Sequence, residues 1–215
     1  MSTIFHFGDS FGTTSYTDVE SPKHFVNICA DNIGYEYINF SERGISNEMI
    51  LNKLLKNIYS FKKNDIVFIN FSYLVRGCFY SEKDRCVKST NILYDETHNK
   101  EQFYNADNEK VLKLFDYYLN ETEDYNRRIF LLFNTLIGQL INKGIKVFYI
   151  HIDNLFLTNN LLDVGNNIIF EDGFYSWLFD NGLVKGGEGH YTPSIQEFIA
   201  NEILNRTNNL NKKLI

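Results

Sequence analysis

The chain predicts an α/β protein, a three-layer α/β/α sandwich with a mostly parallel central sheet. Three observations carry that reading. Short apolar runs alternate with longer helical patterns along the 215 residues, as in strands joined by crossover helices. Asp65-Ile66-Val67-Phe68-Ile69-Asn70-Phe71 is a nearly unbroken apolar run after a Lys-Lys-Asn turn, the pattern of a central strand covered on both faces. The first apolar run, Thr3 to Phe7, leads directly into Gly8-Asp9-Ser10. That places a hydroxyl at the carboxyl end of a strand, where open α/β sheets hold their ligands.

The elements follow in order. Thr3 to Phe7 is the first strand. Ser21 is the expected N-cap of a helix that starts at Pro22 and reaches Asn32, because proline suits the first helical position. Gly34 separates it from a second strand, Tyr35 to Phe40. Ser46-Asn47-Glu48 opens the next helix, with Ile50, Leu51, Leu54, Leu55 and Ile58 on one side. After the central strand, residues 76–107 read as a polar, irregular insertion or lid. A long helical stretch runs from Asn108 to Lys143, with a break expected near Glu121 to Asp124. Gly144 caps it, and Ile145 to Ile150 is the next strand. The stretch from Leu155 to Gly182 is mixed, with a short strand at Ile168 to Phe170. The last helix spans Pro193 to about Asn205, and Asn208 to Ile215 is expected to fray. No repeat or linker divides the chain, so residues 1–215 read as one domain.

The totals exclude several function classes. Hydrophobic residues make up 44% and aromatics 16%, enough for a Phe- and Tyr-rich core in a chain of this length. A net charge of −6 gives no basic face for nucleic acid. No segment approaches the roughly 20 apolar residues of a membrane span. The three cysteines, Cys29, Cys78 and Cys86, lack zinc-site spacing, so no metal is expected. The N-terminus has no basic and apolar leader pattern, so a cytoplasmic location is the expectation, with reduced thiols. Oligomeric state is left open.

The chemistry-bearing residues lie at the two ends of the chain. A serine hydroxyl is a poor nucleophile without a base and without donors for the oxyanion. Ser10 stands at a strand-to-helix turn where backbone N–H groups converge. His190, in Gly187-Glu188-Gly189-His190-Tyr191, is the candidate base, and Glu188 the candidate orienting acid. Gly186, Gly187 and Gly189 allow the tight loop this pair requires. Asp9 is expected to brace the nucleophile turn by accepting backbone N–H bonds. His151 ends a strand with Asp153 close by and competes weakly as base. His6 reads as a satisfied core residue, and His24 and His98 as surface positions.

These blocks resemble the SGNH (GDSL-type) hydrolase family, whose sheet is flavodoxin-like. Phe7-Gly8-Asp9-Ser10 is similar to the family's first block, with Ser10 matching the nucleophile. Ser41-Glu42-Arg43-Gly44-Ile45-Ser46-Asn47 is similar to the second, with Gly44 as the backbone oxyanion donor. Glu188-Gly189-His190-Tyr191 matches the last, just before the final helix. The third block departs from the family's Gly-x-Asn-Asp: the chain has Asn70-Phe71-Ser72, so Asn70 or Ser72 stands in as the second donor. Phage-type variants are similar in pairing a Ser or Thr here with a downstream Arg, as Ser72 and Arg76 do, which implies a bacterial or phage origin. The acid also departs, since Gly187 stands where the family more often has Asp. The resemblance implies a serine esterase or deacetylase acting through an acyl-Ser10 intermediate, with no cofactor, on a small-molecule or carbohydrate ester such as an O-acetyl sugar. The alternative is a catalytically weak or inactive module that keeps the fold and binds carbohydrate. Phosphoryl transfer through Asp9 fails on spacing, because position 11 is Phe rather than a second Asp.

Overall fold

The computed structural model describes residues 2–9, 23–42, 44–72, 74, 76–81, 86–91, 108–151, 168–170, 173–183 and 193–213. Its main sheet has four strands: β1 (Thr3–Gly8), β2 (Glu36–Asn39), β3 (Ile66–Asn70) and β6 (Lys146–Ile150). Their spatial order is β2-β1-β3-β6 and every pairing is parallel. An isolated parallel bridge from Tyr149 to Ile168 extends the β6 edge, so the short strand expected at Ile168 to Phe170 is reduced to a single bridge.

Alternation along the strands sends side chains to two faces, and each face has its own core. Phe5, Phe7, Val67, Ile69, Val147 and Tyr149 pack beneath helix α2 (Asn47–Asn57) and helix α3 (Asn108–Asn142). Ile4, Phe68, Phe148 and Ile150 pack on the other side against α1 (Phe25–Ile33), α4 (Phe174–Asp180) and α5 (Pro193–Lys213). The result is the expected α/β/α sandwich. The first core is held by ring contacts as well as burial: Phe71 meets Phe130, Phe133 and Tyr149 at centroid distances of 5.2, 4.9 and 5.6 Å.

Several expectations are corrected. Helix α1 starts at Phe25, and its N-cap is His24, whose Nδ1 accepts from the Val26 N–H at 3.2 Å; Ser21 and Pro22 lie outside the described residues. His24 is 1% exposed, not a surface residue, because its ring lies 4.9 Å from that of His6. Leu55 is exposed although it shares the α2 stripe in sequence. Residues 76–107 are not wholly irregular: β4 (Arg76–Ser81) and β5 (Cys86–Asn91) form an antiparallel hairpin apart from the main sheet. Helix α3 runs through Glu121–Asp124 without interruption. The run contains neither Gly nor Pro, and polar residues alone do not break a helix. Helix α5 continues to Lys213 instead of fraying from Asn208. Helix α4 lies in the stretch read as mixed.

His6 is a core residue, as expected, but not a satisfied one among the described residues, because its Nε2 has no partner there. Its Nδ1 lies 2.9 Å from the Tyr37 hydroxyl, and the Phe68 ring stands edge-on at 5.7 Å. Burial, reinforced by the charge of His24, holds its imidazole well below the ordinary value of 6.5; the Asn70 side chain works in the opposite direction. Asn70 approaches it without reaching hydrogen-bond geometry, for neither its amide atoms nor His6 Nε2 has a partner among the described residues. A histidine kept neutral in the folded state but free to protonate when unfolded makes the unfolded state bind more protons. Stability is therefore expected to rise with pH up to about 6.5 and to fall on acidification below it. Urea midpoints at pH 5 and pH 7 check this: the difference should shrink in His6→Gln, and an unchanged difference would remove His6 as its source.

Candidate active site

The strand order reverses at β1. From β1 the chain crosses first to β2 on one side and then to β3 and β6 on the other. In open parallel sheets the crevice at such a switch point, beyond the carboxyl ends of the strands, is the usual ligand site. β1 ends there with Gly8, followed by Asp9 and Ser10.

Three segments meet at this edge. The first is Gly8-Asp9. The second is the loop after β2, which continues the ladder past the strand: the Phe40 N–H donates to His6 O at 2.7 Å and the Glu42 N–H to Gly8 O at 3.0 Å. Lys53 Nζ secures the loop from α2 by donating to Phe40 O at 2.9 Å and Glu42 Oε2 at 2.7 Å. Gly44 follows in the left-handed region at φ +71°, exposed, with open space where a side chain would stand. Among the described residues nothing accepts its N–H. A glycine suits that position on backbone grounds.

The third segment is the end of β3. Asn70 pairs in register with Gly8, and its side chain lies over that glycine. An added Cβ on Gly8 would stand 2.6 Å from Asn70 Cβ. Asn70 is 1% exposed, and among the described residues neither atom of its carboxamide has a hydrogen-bond partner. Ser72 is fully buried. Its Oγ donates to Asp9 Oδ2 at 3.1 Å and its N–H donates to Asn47 Oδ1 at 2.8 Å. Both Ser72 donors are thus engaged within the protein. Asp9 is fully buried too, and a buried carboxylate needs such donors. The brace on Asp9 includes a hydroxyl two residues past β3, a bond the sequence does not announce.

Asn47 is the residue that sequence reading missed. Beyond accepting from the Ser72 N–H, its Nδ2 donates to Ser72 O at 3.0 Å, so one carboxamide grips the backbone of Ser72 on both sides of its Cα. The only sequence signal is its place one residue after the N-cap Ser46, whose Oγ accepts from the Met49 N–H at 3.4 Å. His151 follows β6 and is fully buried, and its carbonyl accepts from the Phe174 N–H at 2.8 Å. Ser10, Glu188 and His190 lie outside the described residues. Among the described residues no group of three or more His, Cys, Asp or Glu could hold a metal ion, and no helix is long and apolar enough to cross a membrane.

The chain is similar to solved structures at low identity. A member of the lipolytic G-D-S-L family from Veillonella parvula aligns with a TM-score of 0.51 at 15% identity, covering 95% of this chain and 97% of that one. A Bacillus subtilis protein aligns with a TM-score of 0.51 at 12% identity over 98% of this chain, which spans 57% of the B. subtilis chain. A lipase/acylhydrolase from Enterococcus faecalis aligns with a TM-score of 0.48 at 14% identity, covering 95% of this chain and 94% of that one. No protein-family model and no curated protein matches the chain. The first of these likenesses shows that the chain has the fold of GDSL hydrolases.

Proposed function

We propose that the protein is a serine hydrolase that cleaves ester bonds through an acyl-Ser10 intermediate, with O-acetyl groups on carbohydrate as the substrate class. The observation that carries this reading is the convergence at the β1 switch point. Asp9 is held by Ser72, the Gly44 N–H has no acceptor among the described residues, and the Gly44 loop is stitched to Gly8. The G-D-S-L description of the V. parvula protein, which shares the fold, supports it.

In this reading Ser10 Oγ attacks the ester carbonyl carbon while His190 takes its proton, and Glu188 accepts from the other ring nitrogen. The oxyanion receives hydrogen bonds from the Ser10 and Gly44 N–H groups, with the Asn70 carboxamide as the side-chain donor. His190 then protonates the leaving alkoxide. Finally it deprotonates a water that releases the acyl group from Ser10.

A fluorophosphonate probe tests the proposal. The expected result is a single adduct on the peptide carrying Ser10, together with turnover of p-nitrophenyl acetate. No adduct and no turnover would overturn it. A second reading, a weakly catalytic carbohydrate-binding module, is favoured by the engagement of both Ser72 donors, which leaves the oxyanion one donor fewer. Binding of an acetylated glycan in calorimetry without turnover would support that reading instead.

A further inference from the structure

We infer that Asn47 is a positioning residue that sets the orientation of the nucleophile turn through Ser72 and Asp9; this rests on the reading of Ser10 as the nucleophile. The chain of contacts is continuous. The Asn47 carboxamide accepts from the Ser72 N–H at 2.8 Å and donates to the Ser72 carbonyl at 3.0 Å. The Ser72 hydroxyl donates to Asp9 Oδ2 at 3.1 Å. Asp9 is covalently joined to Ser10.

All three linking residues are almost wholly out of water: Asn47 is 3% exposed, and Ser72 and Asp9 are 0%. Solvent therefore does not readily replace a missing partner. The two-sided grip matters more than either bond. A single hydrogen bond would leave the peptide unit on the other side of the Ser72 Cα free to rotate. Two bonds to one rigid amide plane fix the peptide units on both sides of the Ser72 Cα, and with them the point from which the Ser72 hydroxyl reaches Asp9. That hydroxyl in turn fixes one oxygen of the Asp9 carboxylate, one residue from the attacking group. Asn47 belongs to the first turn of α2, which is capped by Ser46 and anchored in the core by Ile50, Leu51 and Leu54. The grip therefore comes from a rigid element, where a functional site is best supported. Asn47 touches no substrate in this scheme. It acts by holding the reacting geometry.

A kinetic double-mutant cycle tests the inference on the full chain. Asn47→Ala and Ser72→Ala are each expected to lower kcat for p-nitrophenyl acetate on the order of 10–100-fold, the scale of a misplacement of about 1 Å. KM should stay within about twofold, because binding is not what changes. The double variant should be no slower than the worse single, since both act along one path. A purely structural role would lower the melting temperature but leave kcat per folded molecule near that of the parent chain. If Asn47→Ala does not fold, Asn47→Asp replaces it: the acceptor for the Ser72 N–H remains and the donor to the Ser72 carbonyl is lost, so a smaller fall in kcat is expected.

An unchanged kcat in the folded Asn47 variant overturns the inference, as does a double variant whose loss is the product of the two single losses. Turnover that depends on Ser10 but ignores Asn47 sinks the inference alone. A parent chain with no turnover and no Ser10 adduct sinks the hydrolase reading and the inference with it.

Discussion

Ser10→Ala is expected to lower kcat for p-nitrophenyl acetate by on the order of 10⁴–10⁶-fold, while KM changes little. Without the hydroxyl no acyl-enzyme forms, and the remaining machinery can only assist direct attack by water. Some assistance survives, because an oxyanion hole alone still speeds the reaction over water. In the proposed function Gly44, whose N–H has no acceptor among the described residues and whose Cβ direction is open, is the group from which that remnant would come. The measurement is a stopped-flow trace. The parent chain should release a burst of p-nitrophenol equal to the enzyme present, and the variant none. A Ser10→Ala protein that keeps more than about one hundredth of the parent kcat is incompatible with Ser10 as nucleophile, given the size of the loss when such a residue is removed elsewhere.

Gly8→Ala carries the second large effect, on stability. Gly8 is not among the glycines with positive φ, so its backbone would accept alanine. The obstacle is space. The new Cβ would stand 2.6 Å from Asn70 Cβ and 3.2 Å from Asn70 O. Neither atom is the far end of a flexible side chain, so the clash cannot be relieved by a rotamer change. β1 and β3 must move apart at the centre of the sheet, where they pair from Ile4↔Ile66 to Gly8↔Asn70. Overpacking of this kind costs about 3 kcal/mol, which in a chain of this size lowers the melting temperature by about 10 °C. Adding Asn70→Gly, which removes the opposing Cβ, should recover a large part of that loss. A melting temperature for Gly8→Ala within about 2 °C of the parent chain would show that the strands yield more easily than a packed sheet should.

The two variants touch neighbouring positions for unrelated reasons, and the contrast shows what a sequence reveals. Strands β1, β3 and β6 were legible because burial on both faces demands continuous apolar runs, which Ile66-Val67-Phe68-Ile69 and Val147-Phe148-Tyr149-Ile150 supply. The start of α2 at Ser46-Asn47-Glu48 was legible because the signal is local: the Ser46 hydroxyl meets Met49, three residues away.

What failed was decided over long range. Ser21-Pro22 is a good local start signal, yet α1 starts at Phe25. There the Phe25 N–H is taken by Gln196 Oε1 at 2.9 Å, from 171 residues further along the chain. Helix α4 begins at Gly173 with no side-chain cap; instead the Phe174 N–H finds the His151 carbonyl. The hairpin β4–β5 was missed because strands outside the main sheet need no unbroken apolar run, and Arg76–Ser81 and Cys86–Asn91 carry none.

The site divides the same way. Ser10 could be proposed because it follows a strand, and Gly44, Asn70 and Ser72 because their segments resemble the family's blocks. Asn47 could not, because its partner is a peptide 25 residues downstream.

The clasp between the first and last helices bears on the imidazole that the mechanism needs. Gln196 meets the Phe25 N–H at 2.9 Å, and the Cys29 thiol donates to Ala200 O at 3.5 Å. The opening turns of α5 are therefore tied to α1. His190 lies three residues before Pro193, where that helix begins. Three residues of fully extended chain reach about 10 Å. In the proposed mechanism the base is therefore joined, within that reach, to a helix start that α1 holds. The same two hydrogen bonds that clasp the helices thus also hold that point of attachment.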